Sequence, residues 1–172
     1  MKKYAIFTVV VTSVALCSCA SGDPYFSDFR GQLPLSERQG AEEVQQELRS
    51  ALTDVRRDIR EELTSGTTWD IEDKPNSPGA CGGEAVDIAR IDSGIGGLMR
   101  GFEPQKKDAA IEILGEHVKP LGYTIEVVSS SGEMTTFHNP LTDGYVDIRL
   151  TQKNDLGLSY STGCHRVMGS QG

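Results

Sequence analysis

The stretch Tyr145-Val146-Asp147-Ile148-Arg149-Leu150-Thr151 decides the fold, because apolar and polar residues alternate through it. Val146, Ile148 and Leu150 fall on one side of a strand and Asp147, Arg149 and Thr151 on the other, as in a strand with one buried face. Asn154-Asp155 reads as a two-residue hairpin turn. Beyond it Leu156, Leu158 and Tyr160 resume the alternation, which closes on Gly163-Cys164. Working backwards, 139–144 is a loop, 134–138 a strand, and Ser131-Gly132 a turn. Tyr123, Ile125 and Val127 share one face of the strand before that turn. Four sequential antiparallel strands with one polar face require a cover over the other.

Two segments supply the cover. In 37–63, Val44, Leu48, Leu52, Val55, Ile59 and Leu63 recur at steps of three and four among charged residues, one apolar stripe along a long helix. Ser36 with Gln39 has the form of a capping box, and Gly66 stops the helix. Pro104 suits the first turn of a second helix. Ala110, Ile111, Leu114 and Val118 give it a buried face and Pro120 ends it. Between the helices, 67–71 reads as a short strand bearing Trp69, 74–83 as a loop, and 84–91 as a strand. Gly94, Gly96, Gly97 and Gly101 read as a flexible turn. The expected fold class is α+β: an antiparallel sheet with a long N-terminal helix and a second helix packed on one face.

The amino terminus reads differently. Lys2 and Lys3 precede an almost wholly apolar run over 4–16, too short to span a bilayer and built like a cleaved export signal. Leu16-Cys17-Ser18-Cys19 resembles the lipobox of bacterial lipoproteins. That resemblance implies a signal peptide over 1–18, acyl chains (palmitate among them) on Cys19, and a membrane anchor instead of a membrane span. Residues 19–35, with Gly22, Pro24, Gly31 and Pro34, read as a lipidated tether, and 36–172 as one α+β domain. Tyr25, Phe26 and Phe29 stand out in that tether. Loss of Lys2 and Lys3 with no acid moves the formal charge from −8 to −10. An acidic body of this kind stands off anionic headgroups and does not match nucleic acid, which needs clustered Lys and Arg.

Apart from Cys19, the mature chain carries only Cys81 and Cys164. An isolated pair in an exported protein is most simply a disulfide. Closing a loop this long stabilises by roughly 4–5 kcal/mol in the chain-entropy account. No second cysteine or histidine stands at finger spacing, so a metal site is a poor rival. A helix after a lipobox, then Trp69, Cys81-Gly82-Gly83 and a last strand closing on Gly163-Cys164 resemble the LppA-like lipoproteins of actinobacteria. The resemblance spans most of the mature domain and implies a small α+β domain with a disulfide. It carries no established reaction.

Candidate chemistry is sparse. Gly157-Leu158-Ser159-Tyr160-Ser161 has part of a nucleophile-elbow pattern, but its serine lies inside an expected strand. Gly94-x-Gly96 lacks both the dinucleotide spacing and the P-loop Lys. Asp70, Glu72, Asp73 and Asp87 lack the order of a calcium loop, and His117, His138 and His165 are scattered. These residues name no catalytic set, metal or cofactor. The reading is a non-enzymatic, membrane-anchored extracytoplasmic protein that meets an envelope protein or small ligand. Its candidate contact is the sheet face bearing Arg149, Thr151, Ser159 and Ser161, or the glycine loop. The rivals are a surface hydrolase assembled only in three dimensions, which needs a polar cleft, and a carrier of an apolar envelope molecule, which needs a hollow between helices and sheet.

Overall fold

The computed structural model describes residues 31–64, 67–70, 73–75, 79–81, 88–128 and 133–166. The expected signal peptide over 1–18, Cys19, Tyr25, Phe26 and Phe29 of the expected tether, Gly66, Ile71, Glu72, Asp87 and the expected turn at Ser131-Gly132 lie outside them. In chain order the described elements are α1 (Ala41–Asp58), continued by a wider π-type turn (Ile59–Leu63), β1 (Lys74–Pro75), β2 (Gly79–Ala80), β3 (Ile88–Arg90), β4 (Asp92–Met99), α2 (Lys107–Val118), β5 (Thr124–Val128), β6 (Met134–Asn139), β7 (Gly144–Leu150), β8 (Leu156–Ser161) and β9 (His165–Arg166). No described helix is long and apolar enough to cross a membrane.

The fold is α+β. A six-stranded sheet runs in the order β1-β4-β8-β7-β6-β5, antiparallel throughout. A smaller antiparallel sheet, β2-β3-β9, stands at the end where β8 leaves the large one. Cys81 and Cys164 are joined as a disulfide across this junction, with their Cα atoms 5.8 Å apart. The alternation expected over 145–160 is observed: Val146, Ile148, Leu156, Leu158 and Tyr160 are buried against α1 and α2, while Asp147 and Arg149 face away. Val44, Leu48, Leu52, Val55 and Ile59 form the buried stripe of α1, and Ala110, Ile113, Leu114 and Val118 that of α2.

Several local expectations are overturned. Ser36 does not cap α1. Leu35–Glu37 is a separate 3-10 turn, and the chain stays extended through Gly40, which bridges Arg166 before the helix begins. Trp69 lies in a loop, not a strand: among the described residues of its segment one backbone bond reaches the sheet, from Asp70 N–H to Leu98 O at 2.8 Å. The expected loop over 74–83 contains β1 and β2, paired to β4 and β3. Tyr123 and Ile125 do not share a buried face. Tyr123 joins the core, whereas Ile125, on the edge strand, is 51% exposed.

The largest correction concerns the glycines. Gly94, Gly96 and Gly97 are not a mobile turn but the middle of β4, the strand beside β8. At Gly97 the missing side chain leaves a notch that receives Arg56 of α1 and the Trp69 ring. A Cβ on Gly97 would meet the Trp69 ring at 3.1 Å and Arg56 Cδ at 3.2 Å. Arg56, itself buried, donates to Gly96 O at 2.6 Å, and the Trp69 indole donates to Arg56 O at 2.9 Å. Glycine weakens a strand in isolation, yet here it permits a close approach that a larger residue would block. Gly97→Val therefore destabilises the domain by about 1–3 kcal/mol through overpacking, despite valine's better strand propensity. Chemical denaturation measures this. Gly79→Ala, where the added Cβ has nothing nearer than 3.8 Å, stays within about 0.5 kcal/mol.

Candidate functional site

Alternation places every second residue of the central strands on the sheet face away from the helices. Cross-strand pairing then aligns these residues in rows. His138, Tyr145, Ser161 and Asp92 make one row across β6, β7, β8 and β4. Thr136, Asp147 and Ser159 make the next, and Met134, Arg149 and Gly157 the third. His138, Tyr145 and Ser161 of the first row, with Thr136 of the second, floor a cleft of about 390 Å3 whose walls come from Arg90 on β3, Glu126 on β5, Asp143 in the β6–β7 turn, and Gly163-Cys164 beyond β8.

His138 is the centre of this cleft. Its Nε2 lies 3.0 Å from Asp143 Oδ1 and its Nδ1 3.2 Å from Glu126 Oε2. Glu126 reaches it because the β5–β6 ladder skips a residue: Ile125 pairs with Phe137 and Val127 with Thr136. Glu126 is the extra residue of a bulge, which re-aims its side chain. Tyr145 is 37% exposed. Burial raises its phenol above the ordinary value, as do the charges of Asp92 and Asp147, while Arg90 acts against them. Arg90 Nε is held by Asp92 Oδ2 at 3.0 Å, and Asp92 Oδ1 is buried without a hydrogen-bond partner among the described residues. In the second row, burial raises the Asp147 carboxyl, and the hydroxyls of Thr136 at 2.6 Å and Ser159 at 3.5 Å oppose that shift.

The cleft wall is fixed from behind. Arg38, buried, donates to Leu33 O and Cys164 O at 2.7 Å each and to Thr142 O at 3.4 Å. Burial lowers its pKa and the nearby Asp143 charge raises it. His165 is fully buried, with Nε2 2.6 Å from Thr162 O and Nδ1 3.0 Å from Gln39 O. Burial outweighs those two carbonyls, so the imidazole is held below its ordinary pKa. His117 lies away from the cleft and meets Asp58 at 2.8 Å; the hydrogen bond from Arg57, and after it that from His117, draws the Asp58 carboxyl below the usual range.

Of the four residues expected to form a contact face, Arg149 is exposed at the far end of the sheet, and Ser159 is half-buried beside Asp147. Thr151 has left the sheet; its hydroxyl accepts from Lys153 N–H at 3.3 Å and Asp155 N–H at 3.1 Å to shape the turn. Ser161 is 1% exposed on the cleft floor, its hydroxyl accepting from Gly163 N–H at 3.4 Å. They do not form one contiguous patch. Asp73 is paired with Arg49, and Asp70 accepts from Arg100 N–H at 3.1 Å, so each has an arginine partner. Among the described residues no group of three His, Cys, Asp or Glu side chains is arranged to hold a metal ion. The sequence reading passed over Arg90, Glu126, Asp143 and Tyr145. The signal for one of them was present, since Tyr145 belongs to the polar phase of the alternation that named Arg149.

The lowered His165 pKa has a signed consequence. The unfolded chain binds a proton at about pH 6.5 that the buried imidazole resists, so stability is full above that pH and is lost as pH falls through it. The thermal midpoint thus falls between about pH 7 and pH 5. The His165→Gln variant, melted over the same range, shows a shallower fall.

No protein-family model and no curated protein matches the sequence. Among solved structures, the fold is similar to that of a DUF4853 family protein from Actinomyces odontolyticus ATCC 17982, with a TM-score of 0.50 and 13% identity over 83% of this chain and 76% of the other. That likeness supports the α+β architecture and concerns the fold alone.

Proposed function

We propose that the chain is an extracytoplasmic lipoprotein, held on the membrane through Cys19, that binds a small ligand in the cleft centred on His138. The observation that carries the binding reading is the cleft itself. It is a concavity on the sheet face left open by the helices, floored by Tyr145 and Ser161 and lined by converging polar groups. Pockets of this size class with a few directed polar groups accommodate small molecules. The address rests on the lipobox pattern at Leu16–Cys19 and on the likeness to LppA-like lipoproteins, and a Cys81–Cys164 disulfide suits an oxidising compartment.

Two features favour binding over hydrolysis. Both ring nitrogens of His138 face carboxylates, so neither is turned towards a hydroxyl nucleophile. Ser159 is directed to Asp147, and Ser161 is buried. An apolar carrier is disfavoured because Leu48, Leu52, Phe102, Leu114, Phe137 and Ile148 fill the layer between helices and sheet.

Native mass spectrometry of protein gently extracted from its own membrane tests the proposal. The expected mass includes acyl chains on Cys19, lacks two hydrogens at the cysteine pair, and carries a dissociable passenger. Tyr145→Ala loses the passenger while keeping the anchor and its thermal midpoint. Unlipidated protein sinks the address, and a passenger retained by Tyr145→Ala sinks the cleft.

A further inference from the structure

We propose that the open face of the six-stranded sheet pairs with the same face of a second copy of this chain, Asp147 of each copy meeting Arg149 of the other about a two-fold axis. The contact lies on the second and third rows of that face and is independent of the ligand cleft.

The first support is a glycine that one copy does not explain. Gly157 lies inside β8, opposite Arg149 of β7 on one side and Leu98 of β4 on the other. Glycine in a strand interior weakens the strand, and it marks a bulge, a sharp bend, or a place where a ligand or another backbone comes close. The β7–β8 ladder runs unbroken past Gly157, and the irregularity with β4 lies between Ser93 and Gly97, short of Leu98. The φ of Gly157 is not positive. A Cβ there would meet, among the described residues, nothing nearer than Arg149 O at 3.9 Å. Gly97, Gly144 and Gly163 are each required by a close approach within the molecule. At Gly157 the close approach that remains comes from outside.

The second is a pair of charges that the monomer leaves without ionic partners. Asp147 and Arg149 stand two residues apart on β7, on the same face and about 7 Å from each other along the strand. Among the described residues neither takes part in an ion pair. Arg149 is exposed, and Asp147 is partly buried against the hydroxyls of Thr136 and Ser159. An anion and a cation side by side on one surface are their own complement. A two-fold axis in the contact plane, crossing β7 at Ile148, reverses their order and lays each Asp147 over the Arg149 of the second copy. The same rotation sets Gly157 opposite Ser159 of the second copy. A partner of single charge satisfies one of the two residues, whereas a second copy satisfies both.

The third is the apolar flank. Met134 and Leu98 close the ends of the row that holds Arg149 and Gly157, are only partly buried, and stand outside the core cluster. They supply apolar surface around the charges, as the centre of an interface requires. The four strands by seven residues of this face cover roughly 20 by 23 Å. That is less than the roughly 800 Å2 per partner of a standard interface, so the pair is weak in dilute solution. Anchoring both copies to one membrane raises their effective concentration and favours it.

Analytical ultracentrifugation of the full chain, extracted from its membrane into density-matched detergent and followed over a wide concentration range, tests this. The mass is expected to rise from one copy to two. Asp147→Arg and Arg149→Asp each stay monomeric, because like charges then face each other across the axis. An equimolar mixture of those two variants pairs again, since every arginine then meets a carboxylate. Gly157→Val weakens association about tenfold or more while its thermal midpoint is unchanged or raised, a combination that a role confined to the monomer does not produce. Glu37→Gln, a distant surface change, associates as the parent does. A parent chain that stays at one copy throughout overturns the proposal. So does association that survives either charge reversal, or a mixture that fails to pair although both variants keep native near-ultraviolet circular dichroism. If a charge variant does not fold, Gly157→Val decides: undiminished association in that variant overturns the proposal, and its loss with a native midpoint supports it.

Discussion

Two backbones cross at Gly144 and Gly163, and the geometry of the cleft depends on that crossing. A Cβ on Gly144 would sit 2.7 Å from Thr162 O, and one on Gly163 would sit 2.2 Å from Thr142 O. Gly163 also holds φ at +76°, a conformation that side chains disfavour. The approach turns the chain out of β8 and into β9, bringing Cys164 to Cys81 and Asp143 to His138. It also crowds carbonyl oxygens that need donors in a buried place. Arg38 supplies donors to Thr142 O and Cys164 O, and the His165 ring meets Thr162 O. A buried arginine and a buried histidine are thus explained by backbone satisfaction, without any catalytic duty.

The two faces of the sheet divide the work. On one, the notch at Gly96-Gly97 lets Arg56 and Trp69 approach the strand closely, and the helices bury the apolar phase of β7 and β8. On the other, the same strands hold their polar phase open to solvent in aligned rows. The burial that stabilises the fold also orients Tyr145, Asp147 and His138, because a strand committed to Val146 and Ile148 inward must send their neighbours outward. The cleft is in this sense a by-product of the core, completed by one bulge at Glu126 and one turn at Asp143.

Which parts were legible in the chain follows from range. The period-two alternation over 145–160 and the three-four spacing from Val44 to Ile59 are local patterns, and both predict the observed burial. The Cys81–Cys164 pair was legible by elimination. Gly97 of β4 was not, because what makes it tolerable is Arg56 and Trp69, 41 and 28 residues away. Ser36 offered a cap that Gly40 superseded, since a bridge to Arg166 near the far end of the chain delays the helix. For the site, the outward phase was readable, but the convergence of Glu126 and Asp143 on His138 was not. One depends on a skipped residue in a ladder and the other on the crossing at Gly163, and neither leaves a periodic trace.

The segment ahead of α1 is sewn to this same corner. Gln32 N–H and Leu33 N–H donate to Pro140 O and Leu141 O, each at 2.9 Å, and Arg38 ties Leu33 O to Cys164 O. Tension applied at the amino end is therefore delivered first to the turn that carries Asp143, as shear across two backbone bonds, and next to the half of the molecule closed by the covalent staple. A pull on the chain ahead of Leu33 is felt at the rim of the cleft before it is felt in the core.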